Sequence, residues 1–229
     1  MRTYVLPSLV VIGAASCGEP ATTPPDEPPP VEVHTPCRAR DPLKRAFFGD
    51  LHVHTSYSFD VYGFDVRVTP EQADRFAKGE PVRLPPLDAQ GVGTRELRLS
   101  RPLDFVAVTD HSEFLGEVES CTVPGSVGYD SDTCKMYRVG GNQAVTNVGI
   151  RLGLIPARRA PDLCGDDGER CRGTAGEVWK REQSAANAAY DRSASCSFSS
   201  FVAYEYSGAP GLSTMHRNVI FANDRVPHP

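Results

Sequence analysis

From Ala46 onward the chain alternates short apolar runs with polar punctuation, and the runs carry two different periods. Ala46-Phe47-Phe48-Gly49-Asp50-Leu51-His52-Val53-His54 reads as a strand whose polar residues gather toward its C-terminal end. Its apolar flanks predict that the face carrying the histidines is internal. Thr69 and Pro70 form an N-cap and N1 pair that starts a short helix through Lys78, closed by Gly79. Residues 81–100 read as an excursion, with a hairpin between Val82-Arg83-Leu84 and Leu97-Arg98-Leu99. Phe105-Val106-Ala107-Val108 is a run typical of a parallel strand buried on both faces, and Thr109-Asp110-His111 follows it. Residues 113–172 are glycine-rich and irregular, with one helix expected among them. Thr174 to Arg192 reads as the strongest helix: Thr174 as cap, Glu177 completing a capping box, and alanine-rich turns after Trp179. Ser200 to Tyr204 reads as a strand delivering Glu205, and Val219-Ile220-Phe221 as another just after His216. Strands alternating with helices predict an α/β architecture.

The N-terminal region lacks this pattern. Residues 1–17 begin with Met1-Arg2, run through a largely apolar stretch from Tyr4 to Ala15, and end in Ala14-Ala15-Ser16-Cys17. The run is too short to span a bilayer and fits a secretory signal. It is similar to a bacterial lipoprotein signal in which Cys17 is lipidated, although Ala14 stands where leucine is preferred. An ordinary secretory signal with a free or paired Cys17 is the other reading. Residues 18–36 are proline-rich and nearly without large apolar side chains, which predicts an extended tether before a folded domain at 37–229. The expected location is therefore the bacterial cell envelope, lipid-anchored and facing the periplasm or exterior.

Composition narrows the partners. A net charge of −5 in 229 residues gives no footing for nucleic acid. Apart from Cys17 there are six cysteines, Cys37, Cys121, Cys134, Cys164, Cys171 and Cys196. In an exported chain an even count predicts disulfides, with fifteen full pairings open. Short separations favour Cys164–Cys171 and Cys121–Cys134. A structural zinc site is the weaker alternative, since no CxxC pair is present.

The histidines change the picture most. On a strand His52 and His54 point to the same side, and imidazole is a common ligand for zinc, iron and related ions. A lone HxH is weak, because paired histidines also occur on solvated strands. His111 follows a buried strand, where a capping or core histidine is the plainer reading. Glu205, alone, would be a surface carboxylate. Yet four of the six histidines fall at such positions, while His34 and His228 lie among prolines.

The stretches FFGDLHVHTSYSFD, RPLDFVAVTDHSEF, FVAYEYS and MHRNVIF resemble successive motifs of the PHP (polymerase and histidinol phosphatase) superfamily, most of all its domain of unknown function 3604 family. The resemblance runs from about Ala46 to Phe221. It implies a distorted (β/α)7 barrel, incomplete here and carrying a cysteine-bearing irregular insertion. It also implies up to three divalent ions, zinc, iron or manganese, at the C-terminal strand ends. His52 and His54 would bind the first ion, and Asp60, matched to the family's DLHxHTxxSxD, would join His111 on another. Glu205 matches the bridging glutamate and His216 a ligand of the second ion. Asp110 would hold an imidazole by its N–H, and Asp50 is a candidate for the same role. The superfamily's later ligands, a histidine and an aspartate–histidine pair, have no counterpart before Pro229. The expectation is the N-terminal part of a longer protein, or a truncated product of low activity. His228, between two prolines, reads as a solvated loop.

The function implied is an exported metal-dependent hydrolase, phosphoesterase-like, in which water activated by the ions is the nucleophile and no side chain is. The substrate would be a small molecule, with phosphoesters the leading class. Arg217, beside His216, is a candidate partner for a phosphate oxygen, a salt bridge or solvent contact being its plainer role. The competing readings are a non-catalytic metal-binding lipoprotein and a structural envelope protein.

Overall fold

The structure, a computed structural model, describes residues 37–38, 43 and 45–227. The signal segment with Cys17, the whole tether with His34, and His228 lie outside the described residues.

Strand β1 (Gly49–Val53) is followed by the one-turn helix α1 (Phe59–Tyr62) and by α2 (Pro70–Ala77). Strands β2 (Val82–Leu87) and β3 (Gly93–Leu97) form the expected hairpin, with Val82 opposite Leu97. After β4 (Phe105–Val108) come α3 (Leu115–Thr122), α4 (Asp132–Arg138), α5 (Gly141–Gly149), α6 (Pro161–Cys164) and the long α7 (Glu169–Ala189). Strands β5 (Ser199–Phe201), β6 (Ala203–Gly208) and β7 (Met215–Ile220) complete the order. β1, β4 and β5 make a parallel sheet in the order β1-β4-β5, and β6 pairs antiparallel with β7. A parallel bridge between His111 and Glu205 carries the β4–β5 pairing past the break at Val202. The fold is mixed α/β, and no closed barrel is formed by the described residues.

Local signals explain several of these elements. Thr69 Oγ1 accepts from Gln72 N at 3.4 Å and Gln72 Oε1 accepts from Thr69 N at 2.9 Å, a full capping box at the start of α2. Gly79, at φ +95°, ends that helix in a conformation open to glycine. Gly116 lets α3 lie against α7, because a Cβ there would meet the Cys171 carbonyl oxygen at 2.0 Å. Behind the parallel sheet, α2 and α7 bury Ala77, Val106, Ala189 and Phe198 together.

Four expectations need correction. The region 113–172 is largely helical, not irregular. Disulfides Cys121–Cys134 and Cys164–Cys171, both expected, staple short helices around a core that includes Phe114, Tyr137 and Leu163. The remaining pair is Cys37–Cys196, which ties the start of the domain to the loop before β5. Second, α7 begins at Glu169 rather than at Thr174, which sits inside the helix and donates from Oγ1 to Arg170 O. The Cys164–Cys171 bridge fixes its first turn, and Asp167 Oδ1 accepts from Glu169 N at 3.0 Å, so nucleation occurs earlier. Third, β1 is a sheet edge, and Phe47, Phe48 and Leu51 are exposed. Its apolar flanks do not enclose the strand, because β4 pairs with only one of its edges. Fourth, Glu205 and His216 lie within paired strands, not beyond their ends.

Burial of one carboxyl sets a pH dependence. Asp74 on α2 is buried, and burial pushes its pKa up to about 6 although Ser200 donates to it at 2.7 Å. A carboxyl whose pKa is raised on folding contributes most below its unfolded value of 3.8, and that stability is lost as pH rises through about 6. Asp74→Asn is therefore expected to match the parent chain at pH 4. At pH 8 it should be more stable by up to about 3 kcal/mol, as urea unfolding at the two pH values would show.

Candidate metal centre

β1 delivers His52 and His54 to one side, as strand alternation requires. Their Nε2 atoms lie 3.1 Å apart, and each reaches Glu205 Oε2, at 2.8 Å from His52 and 2.7 Å from His54. Glu205 comes from β6, 151 residues beyond His54, and is placed by its own N–H, which donates to Asp110 O at 3.0 Å. The opposite oxygen of the same carboxylate, Oε1, makes a close contact with His216 Nδ1 from β7. His111 closes the group: its Nε2 is 3.6 Å from Asp60 Oδ2, and its Nδ1 is 3.9 Å from Glu205 Oε1. Asp60 also lies 3.4 Å from His54 Nδ1.

All six sequence-derived ligand candidates thus converge. Among the described residues they form three overlapping triplets whose ligand atoms lie within 4.8 Å of one another: His52–His54–Glu205, His54–Asp60–His111, and His111–Glu205–His216. Nitrogen and oxygen ligands bound at about 2.0–2.2 Å to one ion stand roughly 3–3.5 Å apart. Of the His52–His54–Glu205 spacings, the 3.1 Å between the two Nε2 atoms lies in that range, and the 2.8 and 2.7 Å to Glu205 Oε2 fall just below it. Two further observations fit a cation. Asp60 Oδ1 and Glu113 Oε2 are buried carboxylate oxygens with no hydrogen-bond donor. The donor set, imidazole and carboxylate without thiolate, suits zinc, iron or manganese.

The charges are coupled. Burial opposes ionisation of Asp60, yet the imidazoles of His111 and His54 hold its carboxyl well below the usual range. Burial would likewise lower His54, but Asp60 beside it pushes the imidazole up. Glu205 is 1% exposed, and His111 and His54 keep it ionised in spite of that burial. One side of the group remains open, because the His52 and His216 side chains are 58% and 46% exposed.

The supporting residues differ from those expected. Asp110 does not reach an imidazole: its Oδ1 and Oδ2 accept from Thr55 N and Thr55 Oγ1, each at 2.5 Å. Asp50 is exposed and accepts from the His52 backbone N–H at 3.0 Å. Arg217 follows His216 on a strand, so it points to the opposite face, and it is exposed. Two serines were not foreseen. Ser207 Oγ lies 2.9 Å from His111 Nδ1 and 2.8 Å from His216 Nδ1, and Ser58 Oγ accepts from His111 N at 3.2 Å and sits 3.4 Å from His54 Nδ1. Both occur in the quoted motifs, and Ser207 shares a β6 face with Glu205, so period-two spacing was the available signal.

A family model described as "Protein of unknown function (DUF3604)" matches residues 41–229. No curated protein and no solved structure matches the chain.

Proposed function

The chain belongs to the DUF3604 family, and we propose that it is a metal-dependent hydrolase acting on small-molecule phosphoesters. The observation that carries this reading is the meeting of His52, His54, Asp60, His111, Glu205 and His216 from separate parts of the chain. Such a gathering of imidazoles and carboxylates around a part-buried hollow has little structural use, since apolar residues would pack there at lower cost. A divalent ion held there would lower the pKa of a bound water toward neutrality and offset charge developing on a phosphoryl group.

The chain's own groups supply the rest. Glu205 offers one oxygen to the β1 histidines and the other toward His216, so a single carboxylate can bridge two ions. Ser207 Oγ stands against the Nδ1 atoms of His111 and His216, and Ser58 Oγ near His54 Nδ1, so each hydroxyl would steady an imidazole ring. The open side beside His52 and His216 leaves room for substrate. The PHP superfamily and its distorted barrel, of which these strands would be a part, belong to the same proposal.

That openness also favours a second reading, a metal-binding envelope protein without turnover, because ligands exposed on one side can bind an ion and leave it poorly enclosed. The experiment is to measure metal content by mass spectrometry, and then hydrolysis of bis(p-nitrophenyl) phosphate before and after chelation. Bound zinc, iron or manganese with activity that chelation removes and the ion restores supports the enzyme. Bound metal without turnover supports the second reading, and protein that takes up no ion overturns both.

Envelope anchoring through Cys17 is likewise proposed, from the apolar run and small residues before it. No helix among the described residues is long and apolar enough to cross a membrane. Detergent-phase partitioning that Cys17→Ser abolishes is the expected result, and a wild-type product in the aqueous phase would exclude the anchor.

A further inference from the structure

Strand β1 carries the most exposed of the ligand candidates, and the sheet holds it there only weakly. β1 has a ladder on one side alone, with β4, and the register of that ladder shifts between Asp50 and Val53, on either side of His52. Shifts of this kind disrupt the ladder locally and re-aim side chains. The His52 side chain is more than half exposed, so packing does not fix it either.

β7 is the firmer strand. Six residue pairs join it to β6, with Asn218 opposite Glu205 and His216 opposite Ser207. Opposed residues of an antiparallel pair share a face, so Asn218 stands on the metal-centre face with Glu205, Ser207 and His216. Among the described residues no ladder joins β7 to β1. A side chain makes the link: Asn218 Nδ2 donates to Leu51 O at 2.8 Å. That carbonyl shares a peptide unit with the N–H of His52, which donates to Asp50 Oδ1 at 3.0 Å. The peptide that aims His52 is thus gripped by side chains at both its polar ends. Of the two, Asn218 is the one that ties it to the strands carrying Glu205 and His216.

We infer that Asn218 is a clasp that fixes the Leu51–His52 peptide and so aims His52 at the point where His54 and Glu205 converge. This rests on reading the histidine–carboxylate cluster as a metal centre. The amide suits the place, because a backbone carbonyl needs a donor and an amide brings one without adding charge. Asn218 acts through the backbone of His52 and is a positioning residue. Partners that orient a ligand change metal affinity by about 10–100-fold, and an exposed clasp belongs at the lower end of that range.

The test is a double-mutant cycle on zinc affinity, measured on the whole protein by competition with a chromophoric chelator. Asn218→Leu keeps the shape of the side chain without its donor, and Asn218→Gln keeps an amide donor. Asn218→Leu should bind zinc about tenfold more weakly than wild type, and Asn218→Gln within about threefold of it. In a His52→Ala background the same Asn218→Leu change should cost less than about threefold, because the imidazole it aims is gone. Wild-type affinity in Asn218→Leu, an equal loss in Asn218→Gln, or an undiminished loss in the His52→Ala background overturns the inference. Circular dichroism checks the fold, and Asn218→Ala replaces Asn218→Leu if that variant does not fold. If His52→Ala binds too weakly to measure, hydrogen exchange of the metal-free protein decides. Amides of residues 49–53 should exchange faster in Asn218→Leu than in wild type, and unchanged rates refute the clasp. A wild-type chain that binds no zinc refutes the metal centre itself, an outcome separable from the exchange result.

Discussion

Glu205→Ala should abolish most of the protein's metal binding, with zinc affinity falling by more than about 100-fold. Changing a residue that merely supports a ligand costs about 10–100-fold, and Glu205 touches three of the four histidines directly. Its Oε2 lies 2.8 Å from His52 Nε2 and 2.7 Å from His54 Nε2, and its Oε1 meets His216 Nδ1. Removing it leaves those imidazoles without their shared anion and takes a ligand from two of the three triplets. His52→Ala should cost less, because His52 belongs to one triplet and is more than half exposed. Metal analysis of the purified variants and zinc titration would show the ordering. Wild-type metal content in Glu205→Ala would remove the glutamate from the site and leave the function proposed above without its bridge.

Trp179→Ala should lower stability by about 3–5 kcal/mol, the range for deleting a large buried aromatic. For a domain of this size that is a fall of roughly 6–20 °C in melting temperature. Trp179 on α7 is fully buried, and its ring meets Tyr204 edge-on at 5.7 Å and Phe221 at 6.3 Å. Its indole Nε1–H donates to Pro227 O at 2.9 Å. Tyr204 precedes Glu205 and Phe221 follows β7, so the same ring braces the hairpin that carries Glu205 and His216. Trp179→Phe keeps most of the apolar contact and loses the hydrogen bond, so a cost nearer 1–2 kcal/mol is expected. Thermal unfolding of both variants checks this. An alanine variant within 1 kcal/mol of wild type would show that the hairpin is braced by something else.

The elements that sequence placed well are those whose signals are local. Thr69-Pro70 and Gly79 bound α2 because caps act within one turn of the residues that make them. The β2–β3 hairpin was legible from two apolar runs flanking a polar loop, and Phe105–Val108 from a run with no polar side to show. Two disulfides followed from short separations. Where sequence reading failed, a contact from elsewhere had intervened. Thr174 carries every mark of a cap, but a bridge and an aspartate upstream had already started the helix. The apolar residues beside His52 promised an enclosed strand, and the sheet order left that strand at an edge.

The site divides in the same way. The sequence alone determined the ligand types and one piece of geometry, the shared side of His52 and His54, because strand alternation is a property of the backbone. Only the tertiary structure decided that Glu205 stands between the β1 histidines and His216, that Asp110 grips Thr55 instead of an imidazole, that Ser207 lies between two rings, and that Arg217 turns away. Those facts depend on which strands lie side by side and in what register. Register is set by the packing of α2 and α7 against the sheet, a sum over contacts far apart in the chain that no local pattern encodes.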